Sequence, residues 1–121
     1  MREIVVVAAK RTAIGSFLGT LKNTSAKNMA TTLCKDLIKD LNIDHSYIDE
    51  LFLGNVLQSA QGQNLARQVL LNSGIPLDKT AFVVNMVCGS GLKAIQLGYD
   101  SIKLGYSNMI LSGGVENMSL S

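Results

Sequence analysis

Apolar residues in this chain fall into short runs that alternate between two spacings, with polar, glycine-marked stretches between them. Ile4-Val5-Val6-Val7-Ala8-Ala9 is a continuous, mostly β-branched run, which predicts a strand buried on both faces. Residues 11–23 read as a loop punctuated by Gly15 and Gly19. Ser25 is a candidate cap for a helix that continues to about Leu41. Within it Met29, Leu33, Leu37 and Leu41 recur every four residues, and Ala30, Cys34 and Ile38 form the neighbouring row, giving one wide apolar face.

Asp44 is placed to cap a short turn before a second strand over residues 50–56. A polar loop follows, Gln58-Ser59-Ala60-Gln61-Gly62-Gln63-Asn64, and Asn64 is placed to cap a helix over residues 65–72 that stops at Ser73-Gly74, before Pro76. Residues 81–87 read as a third strand and Cys88-Gly89-Ser90-Gly91 as a turn. A helix then runs to about Leu104, with Leu92, Ile95, Tyr99 and Ile102 on one apolar face; Gly105 ends it, and residues 108–115 form a fourth strand.

The order β-α-β-α-β-α-β predicts an α/β layered fold with a mostly parallel sheet and right-handed crossovers. No internal repeat or low-complexity tract divides residues 1–121. Residues 116–121 follow the last strand without a closing helix, so the chain reads as cut rather than finished.

With 121 residues, 47% hydrophobic and 17% charged, the chain suits one core and does not read as disordered. A net charge of +2, with the basic residues scattered, argues against a nucleic-acid partner. No stretch approaches the roughly 20 apolar residues of a membrane span, and Lys10-Arg11 follow the first apolar run rather than precede it, unlike a secretory signal. A cytoplasmic location is the expectation, with both cysteines, Cys34 and Cys88, as free thiols.

Cys88 is the candidate nucleophile. It falls between a buried strand and the first turn of a helix, whose free N–H groups and partial positive charge stabilise a thiolate and the oxyanion formed when sulfur attacks a carbonyl. Gly89 and Gly91 let the backbone turn and leave room for a substrate. The carboxyl ends of strands in an open parallel sheet are where ligands gather. The competing explanation is that Cys88 is a small buried hydrophobe, as Cys34 is expected to be in its mid-helix apolar row. His45, the only histidine, lies in Asp44-His45-Ser46, an exposed helix-start context, so a base for Cys88 is expected from outside this chain.

The segment Asn85-Met86-Val87-Cys88-Gly89-Ser90-Gly91-Leu92-Lys93-Ala94 resembles the acyl-enzyme cysteine motif of the thiolases, the acetyl-CoA acetyltransferase family. Arg11-Thr12-Ala13-Ile14-Gly15-Ser16-Phe17 resembles the family's opening, Gly62-Gln63-Asn64-Leu65-Ala66-Arg67-Gln68 its polar loop and helix start, and Ser112-Gly113-Gly114-Val115-Glu116-Asn117-Met118-Ser119 the strand end where its loop domain begins. The stretches occur in family order across the whole chain.

This resemblance implies the short-chain biosynthetic type of enzyme. Cys88 would take an acetyl group from one acetyl-CoA and pass it to a second, giving acetoacetyl-CoA and CoA, with thiolysis as the reverse. Coenzyme A thioesters would be substrates, with no separate cofactor or metal. The Cys88 N–H would be an oxyanion donor. The family's activating histidine, second cysteine and asparagine–water oxyanion site would lie in a C-terminal half, and its loop domain would start near Met118. Residues 1–121 would then be an incomplete N-terminal thiolase domain, inactive alone. The resemblance also implies a homodimer or homotetramer, with residues 81–87 and the loop 58–68 facing the partner.

Other readings stand beside it. Gly89-Ser90-Gly91-Leu92-Lys93-Ala94 fits G-x-G-x-x-[GA], with Glu116 near where a ribose-binding acid belongs, as in a nucleotide-binding module. A ketoacyl synthase or hydroxymethylglutaryl-CoA synthase places a cysteine at a similar junction. A non-catalytic, partner-binding fragment would use exposed sheet edges and apolar helix faces. Glu116, Asn117 and Met118 are either substrate contacts or a strand terminus with its packing, and Lys93 and Lys103 read as solvated helix residues.

Overall fold

The computed structural model describes residues 2–121. Its strands are β1 (Glu50–Gly54), β2 (Thr80–Val84) and β3 (Ile110–Gly114), and its helices are α1 (Ala26–Leu41), α2 (Leu65–Asn72) and α3 (Ser90–Lys103). The sheet order is β2-β1-β3 and both pairings are parallel. Gly54 is in register with Val84 on one side and Gly114 on the other, so the three carboxyl ends are level.

Local signals start the helices where the sequence places them. The Ser25 hydroxyl accepts from the Asn28 N–H at 3.0 Å, and the Asn64 side chain accepts from the Arg67 N–H at 3.1 Å. Asp44 likewise accepts from the Ser46 N–H and caps a 3-10 turn over His45–Tyr47. Each cap satisfies a backbone donor that the helix cannot. Asn42 and Gly105, both in the left-handed region, end α1 and follow α3.

Central β1 is buried from Leu51 through Gly54, and its side chains alternate between two layers. Leu51 and Leu53 join the core formed with Ala30 and Ile38 of α1 and Leu65, Ala66, Val69 and Leu70 of α2. On the other layer Phe52 stacks on Phe82 with ring centroids 4.2 Å apart.

Two expectations are corrected. Residues 4–9 do not form a strand, so the described sheet has three strands and not four. Both edges of β1 are taken, and the 4–9 segment does not reach the outer edge of β3. Its flanks are tied elsewhere. Arg2 donates to the carbonyls of Ile102 and Ser107, and Lys10 pairs with Asp40 of α1. Between this segment, α1, α3 and β3 lies an open cavity of about 1080 Å³, and Val6 is 82% exposed.

The second correction concerns α3. The expected face of Leu92, Ile95, Tyr99 and Ile102 does not enter the core; Leu92 is 76% exposed, and the others line the open cavity. The buried row is Ser90, Ala94 and Gly98. A Cβ on Gly98 would come within 2.6 Å of the Ser112 hydroxyl, so the helix approaches the sheet too closely for larger side chains. Helix α1 divides in the same way, with Ala30 and Ile38 in the core while Met29, Leu33, Leu37 and Leu41 line the cavity. The strands expected at 50–56 and 108–115 are shortened to 50–54 and 110–114, and the one expected at 81–87 runs over 80–84.

Candidate active site

Cys88 lies beyond the carboxyl end of β2 and two residues before α3, and it is exposed. Within residues 2–121 Cys88 is therefore not part of the core. Cys34 is the opposite case. Burial pushes its thiol up to about 11 from an ordinary 9.0, with the neighbouring Ser73 hydroxyl acting the other way. Such a thiol carries little thiolate near neutrality.

The turn that presents Cys88 is held by a dense set of hydrogen bonds. The Gly89 N–H donates to the Met86 carbonyl at 3.0 Å and the Ser90 N–H to the Val87 carbonyl at 3.2 Å. The Val87 N–H donates to the Asn85 side chain at 3.0 Å. The Met86 N–H donates to the Ser90 hydroxyl at 2.8 Å, and that hydroxyl donates to the Val87 carbonyl at 2.6 Å. Val87 has φ 49°, a left-handed conformation that β-branched residues rarely adopt.

Beneath the turn, glycines from the strand ends make the floor. A Cβ on Gly54 would lie 2.5 Å from the Ser90 carbonyl carbon, and one on Gly114 would lie 3.1 Å from the Gly91 Cα. The first turn of α3 therefore rests directly on the carboxyl ends of β1 and β3. Gly89 caps α3 without a side-chain hydrogen bond.

Other expected positions resolve as follows. His45 precedes the amino end of β1, whereas Cys88 follows the carboxyl end of parallel β2, so the two lie at opposite ends of the sheet. Glu116 acts as a bracket: its carboxylate accepts from the Asn55 side chain at 3.2 Å and from the N–H groups of Val56 and Leu57 at 2.9 Å each. Asn117 is buried and donates to the carbonyls of Leu21, Lys22 and Thr24, which fixes the loop before α1. Met118 is exposed. Lys93 reaches Gln96, and Lys103 lies over the Tyr99 ring. Among the described residues no group of three or more His, Cys, Asp or Glu side chains is arranged to hold a metal ion.

The sequence profile of the family described as "Thiolase, N-terminal domain" matches residues 4–121. The chain belongs to the thiolase family. Acetyl-CoA acetyltransferase of Escherichia coli (strain K12) is 49% identical over 120 residues, which is 99% of this thiolase chain and 30% of that protein. A probable acetyl-CoA acyltransferase of Staphylococcus aureus (strain NCTC 8325 / PS 47) is also 49% identical, over all of this chain and 31% of its own length. This thiolase chain thus spans about a third of the relatives it matches.

Solved structures agree on the fold. The Acat5 thiolase of Ascaris suum, crystallised with coenzyme A, superposes with a TM-score of 0.82 at 38% identity over 85% of this chain and 27% of that one. The Bacillus anthracis acetyl-CoA acetyltransferase does so with a TM-score of 0.83 at 34% identity over 88% of this chain and 27% of that one. Within the thiolase fold the Gly89-Ser90-Gly91 turn follows an edge strand, and the Glu116 carboxylate is already engaged by three donors. Both features weigh against a dinucleotide site. No helix among the described residues is long and apolar enough to cross a membrane.

The sequence pattern marked Cys88 but not the hydrogen bonds of Ser90 or the left-handed backbone of Val87. The available signal was the pair of polar residues, Asn85 and Ser90, placed on either side of the cysteine.

Proposed function

We propose that this chain supplies the acylation half of an acetyl-CoA acetyltransferase, with Cys88 as the nucleophile. The observation that carries the proposal is an exposed thiol at a strand–helix junction whose neighbouring amides are already engaged. The amides of Met86, Val87, Gly89 and Ser90 are engaged within the turn, and the thiolase resemblance makes the Cys88 N–H an oxyanion donor.

The Cys88 thiolate attacks the thioester carbonyl of acetyl-CoA. The new S–C bond forms as the carbonyl electron pair moves to oxygen. Collapse of that adduct breaks the bond to the coenzyme A sulfur, which leaves and takes up the proton that Cys88 gave up. A second acetyl-CoA, deprotonated at its methyl group, then attacks the acetyl-enzyme. A C–C bond forms, the Cys88 S–C bond breaks, and acetoacetyl-CoA is released; thiolysis runs the same steps backwards.

The base for these proton transfers is not His45, which lies at the other end of the sheet. The thiolase resemblance implies that the base and a second cysteine lie in polypeptide beyond these residues, and residues 1–121 alone would not turn over. In that state they would act as a partner-binding piece. The open cavity beside β3 and the exposed run at Val5-Val6-Val7 favour pairing with more polypeptide. The outer edge of β2 would be the contact between two copies in a homodimer or homotetramer.

Intact-mass measurement of the natural full-length protein before and after acetyl-CoA, followed by peptide mapping, tests the proposal. One acetyl group on Cys88, and none on a Cys88→Ala variant, supports it. An unmodified Cys88 in the full-length protein overturns it.

A further inference from the structure

The hydroxyl of Ser90 is shared between two backbone groups on the far side of Cys88. It accepts from the Met86 N–H at 2.8 Å and donates to the Val87 carbonyl at 2.6 Å. Ser90 is 4% exposed, and its backbone is pressed against Gly54. The clasp is therefore anchored where the backbones of α3 and β1 touch.

The residue it holds is in an unfavourable conformation. Within residues 2–121 Val87 is 67% exposed, so no packing inside this segment fixes it, yet its φ is 49°. A non-glycine residue in a sparsely populated backbone region costs on the order of 1–3 kcal/mol and persists only where its surroundings impose it. At Val87 the surroundings are three hydrogen bonds: the Asn85 side chain on its N–H, and the Ser90 N–H and hydroxyl on its carbonyl. Two of the three come from Ser90. Relaxation of Val87 to an ordinary φ would swing the next residue, and the next residue is Cys88.

We propose that Ser90 is a positioning residue for the thiolase reaction, whose hydroxyl keeps Val87 left-handed and so fixes the direction of the Cys88 sulfur and N–H. The inference rests on the acyl-transfer reading given above. It concerns how the nucleophile is aimed, and it assigns no contact between Ser90 and substrate. Misplacement of a reacting group by about 1 Å can cost on the order of 100-fold in rate, so losing the clasp should act on turnover more than on substrate affinity.

The test uses the natural full-length protein and four forms: wild type, Ser90→Ala, Val87→Asn and the double variant. Asparagine enters the left-handed region far more readily than valine, and the thermal melts show whether position 87 accommodates it. Acetylation of Cys88 by acetyl-CoA is followed by quenched mass spectrometry over a range of substrate concentrations, with thermal melts alongside. The expected result is a kcat for acetylation about 10- to 100-fold lower in Ser90→Ala with KM within about twofold, and recovery of most of the lost rate in the double variant. If wild type is not acetylated at Cys88, the acyl-transfer reading fails and this one falls with it. If wild type is acetylated and Ser90→Ala matches it, the positioning role alone is overturned. A rate loss that tracks a lowered melting temperature, and that Val87→Asn does not recover, also overturns it, because Ser90 would then be a packing residue.

Discussion

The Cα of Gly54 and the carbonyl carbon of Ser90 are so close that a Cβ on Gly54 would lie 2.5 Å from that carbon. The last residue of the central strand thus sets the height at which α3 begins, and with it the position of Cys88. The nearby atoms are backbone, including the Gly91 nitrogen at 2.6 Å, so no side chain can turn aside to make room.

Gly54→Ala should therefore lift the first turn of α3 rather than fill a gap. Overpacking of this kind costs about 1–3 kcal/mol, seen as a lower midpoint in urea unfolding. The same displacement should slow labelling of Cys88 by acetyl-CoA. A variant as stable and as reactive as wild type would show that the floor under Ser90 is not rigid.

Thiol labelling should separate the two cysteines. Near neutral pH an uncharged alkylating reagent should modify exposed Cys88 and spare Cys34 in the native protein, as read by peptide mapping. Cys34 should also affect alkaline stability. Its folded pKa, about 11, lies above the ordinary 9.0, so the native state holds the proton more tightly than the unfolded chain. That contribution is complete below pH 9.0 and is lost as the pH rises toward about 11. Cys34→Ala should flatten this part of the stability curve.

Gly98 and Ser112 should be coupled. A Cβ at Gly98 would lie 2.6 Å from the Ser112 hydroxyl, which is buried without a hydrogen-bond partner among the described residues. Gly98→Ala should destabilise by about 1–3 kcal/mol through overpacking. Ser112→Ala removes the obstructing oxygen and an unsatisfied polar atom. The double variant should be more stable than the sum of the single changes predicts, by about 0.5–3 kcal/mol in a double-mutant cycle.

The parts of this structure that were legible in the sequence depend on neighbours along the chain. Ser25, Asp44 and Asn64 each cap within three residues of themselves, and all three do so here. The strand–turn–helix around Cys88 is local too, as is the central strand, whose apolar run at Leu51-Phe52-Leu53 reflects burial on both faces. What failed depended on distant partners. The run at residues 4–9 looks like a strand, but a strand needs an edge to pair with, and composition cannot say which edge. On α3 the large apolar residues drew attention from Ser90, Ala94 and Gly98, whose small size lets the helix approach the sheet. The positive φ of Val87 leaves no mark in a pattern of apolar and polar positions.

Acid should loosen the amino ends of the strands first, through Asp49. Its carboxylate accepts from the Asn108 N–H at 2.8 Å and the Met109 N–H at 3.3 Å, and it pairs with Lys79 at 3.2 Å. It therefore joins the starts of all three strands. Burial opposes its ionisation, but the Asn108 N–H, the Lys79 ammonium and the Met109 N–H together hold its pKa below the ordinary 3.8. A depressed folded pKa means that the unfolded state binds the proton first as the pH falls. Its contribution is thus fully present well above pH 3.8 and is lost as the pH drops through the lower folded value. Asp49→Asn should lower stability at neutral pH and flatten the acid limb below about pH 4, since the group that titrates is gone. Urea midpoints measured from pH 7 down to about pH 3 would read both effects. An acid limb as steep in Asp49→Asn as in wild type would place the acid-sensitive contact elsewhere.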